Sequence, residues 1–312
     1  MKFNKKKFNV IVTLLILIIS LSIIAPTMLN AEVPGAEQED VFTPETYEPE
    51  VRPEGTQTYK FKTASAALKQ GLSSLDEQGG YGSKVVGYGS FSAAGFVNVG
   101  IDIDVNKYIN PSEDIEFVNM HLITSGLDFL RMRSENTMMK IGSGQYLSYD
   151  SGTMNETDQT RALYPTRDEF INKYGKIHTD KFLDFQPSSI LSYRIESMDK
   201  YQKVTMKIKQ SEAESIVGCL TNAIRIDLKY KVLAPADVVF YIDHYGNLIS
   251  AQIMAQTELK ISYGPFSVVL SGAFNVQEKF YPVNNSEIVN YYNEKLEQYP
   301  ILALDIAGNK IR

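Results

Sequence analysis

Val97-Asn-Val-Gly-Ile-Asp-Ile-Asp-Val105 decides how the folded part of this chain is read. Val97, Val99, Ile101, Ile103 and Val105 share one face, and Asn98, Gly100, Asp102 and Asp104 share the other. Successive side chains of a strand point to opposite sides, so this alternation predicts a half-buried strand. The same stretch is the only place with the spacing of a calcium loop. Asp102, Asp104 and Asn106 stand at the first, third and fifth positions and Glu113 at the twelfth. Lys107 occupies the position where that loop needs Gly, and Pro111 stiffens its exit. The strand reading is therefore preferred, and no metal site is expected.

Further strands are predicted on both sides. The period of two extends back to Gly82, and strand-like pieces follow at Ile115–Ile123, Leu127–Arg133, Thr137–Ile141 and Gln145–Tyr149. Gly142-Ser143-Gly144 marks a hairpin between the last two. Tyr201 to Lys209 alternates again, with Val204, Met206 and Ile208 inward. The last third reads as a meander. Val238, Phe240 and Ile242 lead into the turn Asp243–Asn247. Ile249, Ala251, Ile253 and Ala255 lead out of it. Leu259, Ile261 and Tyr263 run to Gly264-Pro265, and Phe266, Val268, Leu270, Phe274 and Val276 return. Consecutive strands joined by tight turns pair antiparallel.

Helices punctuate the strands. Ala64 to Gln78 carries Leu68, Leu72 and Leu75 on one side, with Thr63 or Ser65 as cap and Gly79-Gly80 as stop. Thr166-Arg-Asp-Glu169 has the capping-box form. Ser211 to Ile226 carries a stripe of Ile216, Leu220, Ala223 and Ile224 with Ser211 as cap. Glu287 to Gln298 closes the domain before Pro300. A helix followed by a strand meander thus occurs twice. The expected fold class is α+β, a curved, mainly antiparallel sheet (half-barrel) wrapped around helices.

The N-terminus sets the expected location. Lys2, Lys5, Lys6 and Lys7 precede an apolar run from Val10 to Ala25, which Pro26 breaks before Asn30-Ala31. That is the layout of a secretory signal peptide over residues 1–31. The run is also just long enough to anchor the chain in a membrane through residues 10–25. Residues 32–58 hold eight acidic residues, one Arg and four prolines, the composition of an extended, disordered spacer. Residues 59–312 then form a single exported domain. The expected location is secreted or at the extracytoplasmic cell surface.

Composition narrows the function classes. The formal net charge is −6 although the leader is basic, which argues against a nucleic-acid partner. Cys219 is the sole cysteine, so packing without an internal disulfide must hold the fold. His121, His178 and His244 lie in no metal-ligand spacing. No nucleophile–base pair or phosphate loop can be assembled, so no catalytic residue and no cofactor are predicted. Several strands are apolar on both faces, as in Val238-Val239-Phe240 and Val268-Val269-Leu270. Such strands must be covered by protein or by an apolar ligand. Methionines suit a cavity that adapts to varied lipophilic guests. The candidate cavity or core residues are Ile216, Leu220, Ile224, Val204, Met206, Ile208, Phe240, Ile242, Met254, Phe266, Val268 and Leu270.

Val204-Thr-Met-Lys-Ile208, the helix Ser211–Ile226 and Val239-Phe-Tyr-Ile-Asp-His-Tyr-Gly-Asn-Leu-Ile249 resemble the LolA/LppX-like lipoprotein-carrier superfamily and its exported Gram-positive relatives. The resemblance covers roughly Tyr201 to Val283. It implies a half-barrel whose concave face accepts acyl chains, and a partner that is a lipid or other lipophilic molecule. The chain lacks the lipid-bearing Cys of many members, which puts lipid tethering in doubt. The alternative is a structural or protein-interaction module of the cell envelope without a small-molecule ligand. In either case the membrane is touched only through an uncleaved N-terminal segment.

Overall fold

A computed structural model describes residues 47–48, 52–93, 97–126, 133–141, 145–151, 159–174, 183, 185–222, 228–263 and 266–298. The expected signal segment, Leu127–Met132, Ile224 and His178 lie outside the described residues. So do the side chains of Cys219, Leu220 and Phe266.

The chain opens with α1 (Ala64–Glu77), followed by β1 (Tyr81–Ala93), β2 (Val97–Asn110), β3 (Ile115–Ser125), β4 (Arg133–Ile141), β5 (Gln145–Ser151) and β6 (Gln159–Tyr164). Then come α2 (Arg167–Tyr174), β7 (Ile190–Ser197), β8 (Tyr201–Ile208) and α3 (Gln210–Asn222). The last part is β9 (Leu228–Val232), β10 (Ala236–Asp243), β11 (Leu248–Tyr263), β12 (Phe266–Pro282) and α4 (Ser286–Gln298). Twelve strands form one open sheet in the order β6-β5-β4-β3-β2-β1-β12-β11-β10-β8-β7, with β9 also paired to β11. Each of its strand pairings is antiparallel. The fold is α+β, a curved antiparallel half-barrel carrying few helices, as the alternating strands predict.

Local chemistry sets the helix ends. The Thr63 hydroxyl accepts from the Ala66 amide at 3.3 Å, and Gly79 leaves α1 with φ +74°. Thr166 caps α2 through the Glu169 amide at 3.3 Å. In α3 the start is one residue earlier than expected. The Lys209 carbonyl accepts from Glu212 and Ala213, and Ser211 lies within the first turn.

Packing occurs on both faces of the sheet. The inner face carries Val85, Ile101, Ile103, Val105, Val118, Met120, Leu122, Val204, Met206, Val238, Phe240, Ile253, Leu270 and Phe274. Ala64, Ala67, Leu68 and Leu75 of α1 and Ala213 and Val217 of α3 pack on it. The outer face holds a smaller core under α4, where Ile288 and Tyr292 meet Tyr108, Phe117, Met139, Leu147 and Tyr281. Gly272 lets β12 and β1 approach closely, because a Cβ there would lie 1.9 Å from the Ser90 carbonyl oxygen.

Part of the acidic N-terminal stretch rests on the sheet end. The Tyr47 hydroxyl donates to Asp243 Oδ2 at 3.0 Å, and Lys200 Nζ bonds the Tyr47 carbonyl oxygen at 3.2 Å. Arg52 lies over the Tyr245 ring at 4.9 Å.

Candidate functional site

The inner face is built from alternate residues of neighbouring strands held in register. Phe240 stands opposite Val204 and Ala251, and Val238 opposite Met206 and Ile253. Ile242, Ile208 and Leu270 continue the surface, and all of these residues are buried. Val268 and Ile216 are partly buried against the same cluster. Met254 departs from the expected set. Ile253 and Ala255 point inward, so the intervening residue must point outward, and Met254 is 41% exposed. The helices α1 and α3 pack chiefly on β7, β8, β9 and β11. The apolar surface continues beyond them across β12, β1, β2, β3 and β4.

One charged pair interrupts this surface. Lys107 Nζ lies 3.2 Å from Glu278 Oε1, both side chains fully buried. The Ser83 hydroxyl donates to the same Oε1 at 2.7 Å. Glu278 Oε2 has no hydrogen-bond partner among the described residues. Lys107 stands at the Gly position of the candidate calcium loop. Its fold position supplies a second role: it shares the face of Val105 and Ile109, opposite to Asp102 and Asp104. Residues Asp102–Asn110 belong to β2, and Pro111–Glu113 form a short 3-10 turn.

The outer face carries a polar pocket of about 340 Å³ beside α4, lined by Lys84, Asp104, Asn106, His121, Glu287, Ile288, Tyr291 and Lys295. Asp104, His121 and Glu135 stand in a row across β2, β3 and β4. Lys295 Nζ reaches Glu135 Oε1 at 2.9 Å, and the His121 ring is 3.5 Å from that oxygen. The Tyr291 hydroxyl donates to Asn119 Oδ1 at 2.6 Å. Burial holds the His121 imidazole below its ordinary range, against the pull of Glu135. Burial raises the Tyr291 phenol, and Asp104 and Glu135 raise it further. The Lys295–Glu135 pair and the Tyr291–Asn119 hydrogen bond fasten α4 to the sheet. Among the described residues no three His, Cys, Asp or Glu side chains are grouped to hold a metal ion.

A second pocket, about 540 Å³, lies at the end of the sheet between Tyr59, Lys60, Met198, Asp199, Lys200, Gln202, His244 and Tyr245. His244 Nε2 meets the Asp199 carbonyl oxygen at 2.6 Å. Asp243 accepts from the Tyr245 and Asn247 amides at 2.8 Å each, so the Asp243–Asn247 turn is held by its own side chain. These contacts shape the turn, and they assemble no nucleophile with a base. Among the described residues, no helix is long and apolar enough to cross a membrane.

No family model matches the chain, and no curated protein matches it. Among solved structures the chain is similar to the crystal structure of LprF from Mycobacterium bovis. The match covers 71% of this chain and 95% of that one, with 11% identity and a TM-score of 0.32. At that score the likeness says nothing about function.

Proposed function

We propose that this is an exported, non-catalytic protein that holds a lipophilic molecule, or the lipid part of a modified partner, on the concave face of its sheet. The observation that carries the reading is the largely apolar inner face from β4 to β8, interrupted by the buried Lys107–Glu278 pair. It extends over more strands than α1 and α3 chiefly pack against. Sheets that bury an apolar face need a cover, and a hydrocarbon chain provides one without demanding hydrogen bonds. Met120, Met138 and Met206 on this face are side chains that re-pack at low cost. The basic leader and apolar run support an extracytoplasmic location. Delipidated protein should take up a fluorescent long-chain acyl probe saturably, at one site per chain. Uptake that never saturates, or no uptake, would reject the reading.

The second reading is an envelope module without a small ligand. It is favoured by the full burial of Val204, Ile208, Val238, Phe240 and Ile242 by the protein itself. It predicts no probe uptake and an apolar face that stays closed.

A further inference from the structure

We propose that β7 is a homodimerisation edge, through which two copies of the chain join their sheets by antiparallel pairing about a twofold axis at Ile195. Strand β7 ends the sheet, and among the described residues no strand pairs with its outer side. An uncovered edge presents unpaired backbone groups and is a template for another strand. Natural edges are usually kept apart by charge, yet this one exposes Leu191 at 53% and Tyr193 at 49%, and Met198 just past its end is 43% exposed.

The charge pattern selects the partner. In register with β8, Tyr193 and Ile195 stand opposite Met206 and Val204, so both lie on the inner face. Arg194 and Glu196 lie on the other face and pair along the strand at 2.7 Å, with Arg194 well exposed. A twofold axis at Ile195 sets Arg194 opposite the partner's Glu196, and Glu196 opposite the partner's Arg194. Opposite charges directly across an antiparallel pair attract, and symmetry makes each contact twice. The same register places Ile195 opposite its own copy and sets Tyr193 diagonal to it, which continues the inner apolar face into the second sheet. The irregularity between Ile190 and Ser192 bounds the pairing at Ser192, leaving the stretch to Met198 for contact. A second copy of this chain is therefore the occupant whose charges the edge complements.

Sedimentation equilibrium on the purified protein tests this directly. The wild type should show a concentration-dependent dimer. Arg194→Glu and Glu196→Arg should each weaken it by about tenfold or more, because two attractive contacts become two repulsive ones. The double variant Arg194→Glu/Glu196→Arg should restore it. An equimolar mixture of the two single variants should form a heterodimer, since each then faces opposite charges. Ile195→Cys in a Cys219→Ser background should give a disulfide-linked dimer on oxidation, because directly opposed residues have a Cα separation suited to that bond. A monomer at every concentration overturns the proposal, whether or not a foreign peptide strand occupies the edge. Single variants that dimerise like the wild type, or a double variant that does not recover, overturn it equally.

Discussion

Lys107 and Glu278 form a fully buried ion pair on the apolar inner face, Nζ to Oε1 at 3.2 Å, bridging β2 and β12 across β1. The strand between them contributes Ser83, which donates to the same carboxylate. Taking both charges out of water costs several kcal/mol each, which their attraction offsets only in good geometry. Glu278 Oε2 adds to that cost, since it has no hydrogen-bond partner among the described residues. Removing either partner takes away the buried counter-charge that the other one faces. Lys107→Met or Glu278→Leu alone should therefore lower stability by about 3–5 kcal/mol. The double variant, which fills the space with apolar atoms, should lie close to the wild type or above it. Urea unfolding of all four proteins gives the cycle, and additive losses would contradict the account.

The inner face makes a second, simpler prediction. Phe240 is fully buried between Val204 and Ala251, so Phe240→Ala should cost about 3–5 kcal/mol. Lys207 on the opposite face of β8 pairs with Asp237 at 2.8 Å, and both side chains are about half exposed. Lys207→Ala should change stability by less than about 0.5 kcal/mol. Equal shifts in urea midpoint would place Phe240 outside the core.

Much of this face was legible from the period of two. The alternation from Val97 to Val105 matches β2, and Val204, Met206, Ile208, Val238, Phe240 and Ile242 all point inward as expected. Met254 points outward because its neighbours Ile253 and Ala255 fix the inward parity of β11. Strand β7 is hard to read from the sequence. Its extra residue at Leu191 disturbs the alternation, and as an edge strand it leaves Tyr193 half exposed, so its pattern is weak. The Lys107–Glu278 pair joins residues distant in sequence, and only the strand order brings them together. A charged residue at an inward position of an apolar strand was the available signal. The row Asp104, His121, Glu135 likewise depends on register across three strands.

His121 supplies a pH dependence. Burial places its folded-state pKa below the unfolded value of about 6.5, so the fold favours the neutral ring. The unfolded chain then binds more protons as the pH falls. Stability from this group is complete above pH about 6.5 and is lost as acidification carries the ring toward its lowered folded pKa. Glu135, Asp104, Lys295 and Arg133 surround it, so removing the imidazole isolates its share. Urea midpoints measured from pH 7.5 down to pH 5 should fall more steeply for the wild type than for His121→Gln. Parallel curves would exclude the effect.

Gly272 tests how closely β1 and β12 approach. A Cβ there would sit 1.9 Å from the Ser90 carbonyl oxygen and 2.8 Å from Phe91 Cα, both backbone atoms of β1 that cannot move alone. Gly272→Ala should destabilise by about 1–3 kcal/mol or more through forced backbone shifts. Thermal melts should show a clear drop, and an unchanged midpoint would mean that β1 and β12 are not so closely apposed.

Lipid binding on the inner face is decided by the native mass spectrum of protein purified from its natural host. A species heavier than the polypeptide by one lipophilic molecule is expected, released by organic extraction and restored on adding a long-chain acyl lipid. A spectrum of bare polypeptide, unchanged when lipid is added, would contradict it.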